Sequence, residues 1–398
     1  MMPLLEKFHR YVAQTSHEPL DIEIARAEGV YIYDTNGKKY IDLISGISVC
    51  NMGHSHPIIV KAVQAQVAQY MHVMVYGEVV QAPQVELATL LCRYLPENLS
   101  SVFFVNSGSE AVEGGIKLAK RVTRRRELVH CINAYHGSTH GALSVMGCDS
   151  YREVFQPLLP DTHAIRFGNI DDLEHITEKT AAFIIESVQG ENGVHTASTD
   201  YWRAVRQRCD VTGTMLILDE IQTGMGRTGK LFAFEHYGII PDILLLAKAF
   251  GGGLPLGAFI SSLQNMDNLT HNPMLGHITT FGGHPVSCAA ALAHLQLITE
   301  NQLWERAEPI GQELEALLRQ MPNVKAVRRL GLMMAVEFGD TDACFQMCKR
   351  FIEAGLFVDW FLFCPNALRI APALIMRHED IEEVKLRLFQ KGIILSLT

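Results

Sequence analysis

The sequence has no run near the roughly 20 consecutive apolar residues that a helix needs to cross a bilayer, so no membrane partner is expected. Its start, MMPLLEKFHR, lacks the apolar core of a secretory signal. The nine cysteines are scattered, with no Cys-x-x-Cys pair and no zinc-ligand spacing. An odd number without a framework suits a reducing compartment, and a cytoplasmic protein is expected. Positive charge is scarce too: 34 Lys and Arg face 43 Asp and Glu, giving a net charge of −9. That balance speaks against a nucleic-acid partner. The one basic cluster, Lys120-Arg121-Val122-Thr123-Arg124-Arg125-Arg126, follows an expected helix, where cations complement the backbone dipole. Repeats, low-complexity tracts and an obvious linker are missing as well.

What is present reads as a packed globular chain of 398 residues, 48% hydrophobic and 19% charged, long enough for two domains. Val30 to Leu43 alternates around Asp34-Thr35-Asn36-Gly37, which predicts a hairpin. Strands are predicted at Ser101–Val105, Leu128–Ile132, Ala181–Glu186, Met215–Asp219, Ile243–Leu246 and Ala258–Ser261. Several are continuous apolar runs, as in strands covered on both faces. Helical patterns intervene, including Ser109–Val122 and Thr199–Cys209, so the core is expected to be α/β with a mostly parallel sheet. Beyond the long helix within Gly282–Glu300, two further helices, the strand GLMMAVEF and a last helix near Glu379–Gln390 suggest a smaller α+β domain. Cys344 and Cys348, one helical turn apart, are expected to pack.

Four stretches carry chemistry. Lys248 follows the apolar run Ile243–Leu246 and precedes three glycines. Lysine is costly to bury unless paired or used, although a strand-end lysine can snorkel to solvent. Ser107, Gly108 and Ser109 stand where a helix begins, a place that suits a phosphate and equally a plain serine cap with Glu110 and Glu113 behind it. Asp219 ends a central strand, where open α/β sheets bind ligands. Tyr135-His136-Gly137 follows another strand and offers a ring for stacking and a glycine for close backbone approach. Gly224-x-Gly226-x-x-Gly229 matches a dinucleotide fingerprint, but Asp219 to Thr223 intervene after the strand and no helix opens behind it. A Schiff-base lysine, a carboxylate for a pyridinium nitrogen, a stacking ring and a phosphate cup together form the set that pyridoxal phosphate requires.

The chain resembles the class III pyridoxal-phosphate aminotransferases, the group of acetylornithine, ornithine and 4-aminobutyrate aminotransferases. NSGSEA, IIESVQGENG, LDEIQTGMGRTG, LAKAFGGGLPLGA and TTFGGHP occur in that family's order, within a resemblance running from Gly46 to Ile375. It implies fold type I: a large domain with a mostly parallel seven-stranded sheet plus a smaller α+β domain. The division it suggests is an N-terminal segment 1–45 packing with the small domain, a cofactor-binding domain 46–285 and a small domain 286–398. Lys248 would attach the cofactor as an imine and carry the proton, and Asp219 would pair with the ring nitrogen. Gln222 would meet the ring hydroxyl, Tyr135 would stack, and Ser107, Gly108 and Ser109 would hold the phosphate. His136 and Glu186 would lie beside the cofactor. Thr280 would reach the phosphate of the neighbouring subunit in a homodimer. Glu191 and Arg369 match a switch pair, in which the arginine takes the carboxylate of glutamate or 2-oxoglutarate and the glutamate neutralises it for amine-ended substrates.

Two departures matter. Family members acting on α-amino acids with a distal amine commonly have His-Gly-Arg-Thr, whereas this chain has His136-Gly137-Ser138-Thr139. Serine cannot form a bidentate ion pair with a substrate carboxylate, a contact of about 1.5–3 kcal/mol. Ornithine and acetylornithine are thereby disfavoured relative to diamines. His284 stands where the family usually has asparagine. His54 and His56 are spaced like a metal pair, but their loop matches a pocket-lining family segment, and no metal is expected. The leading reading is an aminotransferase moving a terminal amino group from an ω-amino acid or diamine to 2-oxoglutarate. The alternatives are an aminomutase, racemase or decarboxylase on the same cofactor and, more distantly, a nicotinamide-binding oxidoreductase.

Overall fold

The apolar runs in the middle of the chain become neighbouring strands of one sheet. A computed structural model describes residues 2–75 and 77–396; Met1, Tyr76, Leu397 and Thr398 lie outside the described residues. Near the N-terminus, β1 (Ile24–Glu28), β2 (Tyr31–Asp34) and β3 (Lys39–Asp42) form an antiparallel meander. The β2–β3 turn is made by Asp34, whose Oδ1 accepts the N–H groups of Asn36 and Lys38.

The central sheet contains β4 (Ser101–Val105), β5 (Glu127–Cys131), β6 (Thr162–Ile165), β7 (Thr180–Glu186), β8 (Met215–Asp219), β9 (Ile243–Leu246) and β10 (Gly257–Ser261). Their order is β4-β10-β9-β8-β7-β5-β6. β10 runs antiparallel to β4 and β9, and every other pairing is parallel, so the sheet is seven-stranded and mostly parallel as expected. Each residue of β7, β8 and β9 is buried, which explains their unbroken apolar sequences. β6 was not legible in the sequence: it is a short edge strand with His163 and Ala164 exposed, and it shows neither alternation nor an apolar run.

A smaller sheet, ordered β11-β12-β15-β14, follows from β11 (Ala326–Leu330), β12 (Met333–Glu337), β14 (Asp359–Trp360) and β15 (Ala367–Ile370). The helices Ala307–Leu318, Thr341–Glu353 and His378–Gln390 accompany it. Cys344 and Cys348 are buried on one of them. The two-residue strand β13 (Leu356–Phe357) lies parallel to β3, so the N-terminal meander and the C-terminal part share a sheet. The helix Pro285–Glu300 packs on helices Pro57–Gln69 and Ala82–Arg93 and on the turn at Lys248.

Two basic residues hold segments together rather than face a ligand. Arg125, in the basic cluster, donates to the carbonyls of Thr180, Thr212 and Gly213 and so ties the end of helix Thr199–Thr212 to the sheet. Arg227, fully buried, donates to Leu332 O, Pro372 O, Ser45 Oγ and Asn51 Oδ1, joining three distant parts of the chain.

Candidate active site

In open α/β sheets ligands collect beyond the carboxyl ends of the strands. The segments following β4, β5, β7, β8 and β9 converge there on a cavity of about 420 Å³ lined by Ser107, Gly108, Ser109, Tyr135, His136, Glu186, Asp219, Gln222 and Lys248. A second cavity of about 470 Å³ shares Tyr135 and Lys248 with the first and extends to Glu191, Asp359, Trp360 and Arg369. Lys248 therefore borders both spaces.

Lys248 begins a single tight turn, Lys248–Gly251, directly beyond the buried β9. Its φ of +49° is unfavourable for a residue with a Cβ, a form of backbone strain that concentrates at functional sites. Gly252 supports the turn with φ +62°; a Cβ there would stand 2.7 Å from Ala290 O of the long helix. Desolvation lowers the affinity of the Lys248 amine for its proton, Glu191 opposes that, and the Arg369 cation adds to it. A lysine whose proton is loosened in this way can act as a nucleophile and as a proton carrier.

Asp219 ends β8, and its Oδ2 lies 2.7 Å from Nδ1 of His136. Its Oδ1 accepts the N–H of Ile221. Both Asp219 and His136 are buried. The histidine thus orients the carboxylate from behind. Helix Gly108–Thr123 starts with Ser107 as its cap, accepting the N–H of Glu110 at 3.2 Å. The N–H groups of Gly108 and Ser109 precede the first donor of the helix ladder, Ala111 N, which bonds Ser107 O, and both residues line the cavity. Ser107 Oγ accepts as the cap while its hydroxyl proton stays available, so the cap and a phosphate contact are compatible at this residue, which lines the cavity with the two after it. Ser109 Oγ also accepts from Ser138 N, and a Cβ on Gly137, whose φ is +126°, would stand 2.1 Å from Ser109 Oγ. Glycine at 137 is what lets the loop after β5 approach the helix start.

Glu186 ends β7 and accepts the N–H groups of Tyr135 and Gly190. Burial pushes its carboxyl up to about 7. It fixes the two flanking loops. The Ser138 side chain is exposed and lies 3.4 Å from the Tyr135 hydroxyl, so it adds no charge to the site. Thr280 is exposed and does not line the cavity of its own chain; its neighbour Thr279 accepts from Asn106.

In the second cavity Arg369 and Glu191 form a bidentate ion pair, with both N–H···O distances 2.7 Å. Burial pushes the Glu191 carboxyl up, but the guanidinium outweighs this and holds it below the usual carboxylate range. Arg369 also donates to Trp360 O and lies over the Phe361 ring. A further carboxylate, Asp359, lies 3.1 Å from Arg369 Nε. No sequence reasoning marked it, since it sits in a two-residue strand with no motif around it.

The remaining sequence signals resolve structurally. His284 accepts the N–H of Val286 through Nδ1 and caps helix Pro285–Glu300, a task asparagine also performs. His54 pairs with Asp42 at 2.8 Å, while His56 stands at the start of helix Pro57–Gln69. Gly224 to Gly229 form consecutive turns, followed by a single turn at Ala233–His236, so the helix a dinucleotide site needs is missing there. Glu220, beside Asp219, points elsewhere: it accepts from Ala233 N, Phe234 N and Ser187 Oγ.

A loosened lysine, a braced buried carboxylate and open helix-start donors around one cavity fit the amine, ring nitrogen and phosphate of pyridoxal phosphate. The fold and this site define a pyridoxal-phosphate-dependent transferase. The chain belongs to the class III aminotransferases, whose family description, "Aminotransferase class-III", matches residues 11–391. It is 39% identical over 391 residues to an acetylornithine aminotransferase of Methanocaldococcus jannaschii, covering 95% of this chain and 94% of that protein. An acetylornithine aminotransferase of Methanopyrus kandleri is 37% identical, with 96% and 95% covered. Among solved structures, the ornithine aminotransferase of Toxoplasma gondii ME49 superposes with TM-score 0.88 at 28% identity, over 96% of this chain and 93% of that one. A transaminase of the marine bacterium Virgibacillus gives 0.89 at 25% identity, with 97% of each covered.

Proposed function

We propose that this enzyme moves a terminal amino group from an ω-amino acid or diamine, of ornithine, acetylornithine, 4-aminobutyrate or putrescine type, to 2-oxoglutarate. The observation that carries the reading is the Glu191–Arg369 pair in the wall of the cavity that reaches Lys248. An arginine already closed by a carboxylate suits an amine-ended substrate; the same arginine, once released, suits a dicarboxylate. The names of the relatives support the ornithine-like end of the range. Ser138 supports the diamine end, because Lys248 and Arg369 are the only lysine or arginine residues lining either cavity among the described residues.

When bound, pyridoxal phosphate supplies an electron-accepting ring that carries the amino group between donor and acceptor. Lys248 would attach it and would carry the proton on the substrate carbon next to the nitrogen. Asp219, braced by His136, would pair with the ring nitrogen. Gly108 and Ser109 would offer N–H donors to the phosphate, and Gln222 would meet the ring hydroxyl. Tyr135 would cover the ring. Thr280 serves the neighbouring site in a homodimer, a reading supported by the exposed apolar residues Ile278 and Phe281 beside it in the chain and by Val79 and Val80, which line one cavity with Ile278 and Thr279. All nine cysteines are free thiols, in keeping with a cytoplasmic enzyme. No helix among the described residues is long and apolar enough to cross a membrane.

The test is the cofactor's absorbance when the loaded enzyme meets ornithine or putrescine without a keto acid. Conversion by putrescine at least as fast as by ornithine is expected. Conversion by ornithine alone would return the assignment to α-amino acids and require another cation for the substrate carboxylate.

A further inference from the structure

Asp359 has no role in the chemistry described above, yet it borders the cavity that Lys248 and Arg369 share. A quarter of its side chain stays accessible, and apart from the ion pair with Arg369 that side chain makes no hydrogen bond within the described residues. Its 3.1 Å approach to Arg369 Nε is too poorly directed to be one: Asp359 Oδ1 and Arg369 Nε both lack a hydrogen-bond partner. Glu191 meanwhile takes both terminal nitrogens of the arginine. One guanidinium thus faces two carboxylates, and the surplus negative charge sits on the group with unused acceptor capacity. Partly buried acceptors ordinarily have partners. The matching donor is a cation entering the cavity.

We propose that Asp359 is a specificity-determining residue that binds the distal ammonium of an α,ω-diamine while the other amino group reacts at Lys248. The inference rests on the terminal-amine reading above and narrows it to donors carrying a second positive charge. Arg369 stays closed by Glu191 throughout the amine half-reaction, so the distal group meets net negative charge. For the keto-acid half-reaction Glu191 withdraws, but Asp359 remains beside Nε and tempers the arginine's attraction for a carboxylate.

The experiment follows the cofactor absorbance of loaded wild type, Asp359→Asn and Asp359→Glu with diamines of increasing length and with the monoamines of the same carbon number. Wild type is expected to prefer the diamine. Asp359→Asn should lower kcat/KM for the diamine about ten- to a hundredfold and bring the diamine-to-monoamine ratio towards one. Asp359→Glu should move the preferred diamine to a shorter one, an effect a merely structural aspartate would not produce. Melting curves and cofactor absorbance of both variants identify a folding defect, and Asp359→Glu keeps the test open if the asparagine variant does not fold. A diamine preference that survives Asp359→Asn and an unshifted length optimum would overturn the proposal while leaving the terminal-amine reading standing. A wild type that converts no diamine, 4-aminobutyrate or ornithine would overturn both.

Discussion

His136 Nδ1 lies 2.7 Å from Asp219 Oδ2, and neither residue reaches bulk solvent. The end of β8 and the loop after β5 are therefore locked to each other at the point where the ring nitrogen of the cofactor is expected. A hydrogen bond to a buried charge contributes about 1.5–3 kcal/mol. His136→Phe should accordingly weaken cofactor binding by roughly ten- to a hundredfold, with the fold intact by circular dichroism. Equilibrium titration of the apoenzyme with pyridoxal phosphate measures it. Unchanged affinity would mean that Asp219 needs no brace.

Lys248→Ala should abolish the covalent link between chain and cofactor, so that borohydride treatment leaves no mass adduct on the protein. Turnover should fall by about 10²–10⁴-fold or more, the range for losing a positioned proton carrier. The melting temperature should hold or rise, because the lysine occupies a left-handed position that alanine adopts no better and a desolvated site that alanine fills without charge. Wild-type turnover in this variant would defeat the assignment.

Glu191→Gln keeps the shape of the pair with Arg369 and removes its charge. Amine-ended donors should lose about tenfold or more in kcat/KM, while glutamate, which requires the arginine free, should lose less. Asp359 still faces Arg369 in this variant, so the arginine is not left wholly uncompensated, and the effect should grow when Asp359→Asn is added. Parallel steady-state measurements with 4-aminobutyrate and glutamate decide it. Equal losses for the two would count against a switch.

His54 gives a pH signature unrelated to catalysis. Its hydrogen bond to Asp42 raises the imidazole from its ordinary value of 6.5 to about 10 in the folded protein. The folded state therefore holds this proton more tightly than the unfolded chain. Its stabilisation is complete below 6.5 and is lost as pH rises towards about 10. Urea midpoints measured across that window should fall with pH in wild type, and less steeply in His54→Gln. Parallel curves for the two proteins would show that the pair adds nothing.

The legible features were those written locally. The buried strands of the central sheet are continuous apolar runs, and their ends carry Asp219 and Lys248. The turn at Asp34 and the cap at Ser107 follow from residues within four positions of each other. The family motifs, in order, implied the cofactor and most of its site. The edge strand Thr162–Ile165 left no mark, because an exposed short strand needs no apolar pattern.

By itself, then, the sequence determined the α/β class and the strand ends that bear chemistry, since apolar periodicity and residue type suffice for those, and its resemblance to a family implied the cofactor. The tertiary structure alone decided which carboxylates meet which cations. Glu191 reaches Arg369 from a loop 178 positions away, and Asp359 meets it across the antiparallel pair β14–β15. His136 and Asp219 likewise meet from 83 positions apart. Nothing local encodes such meetings, because Coulomb attraction and hydrogen bonding act through space at about 3 Å, and only the packed sheet fixes who stands at that distance.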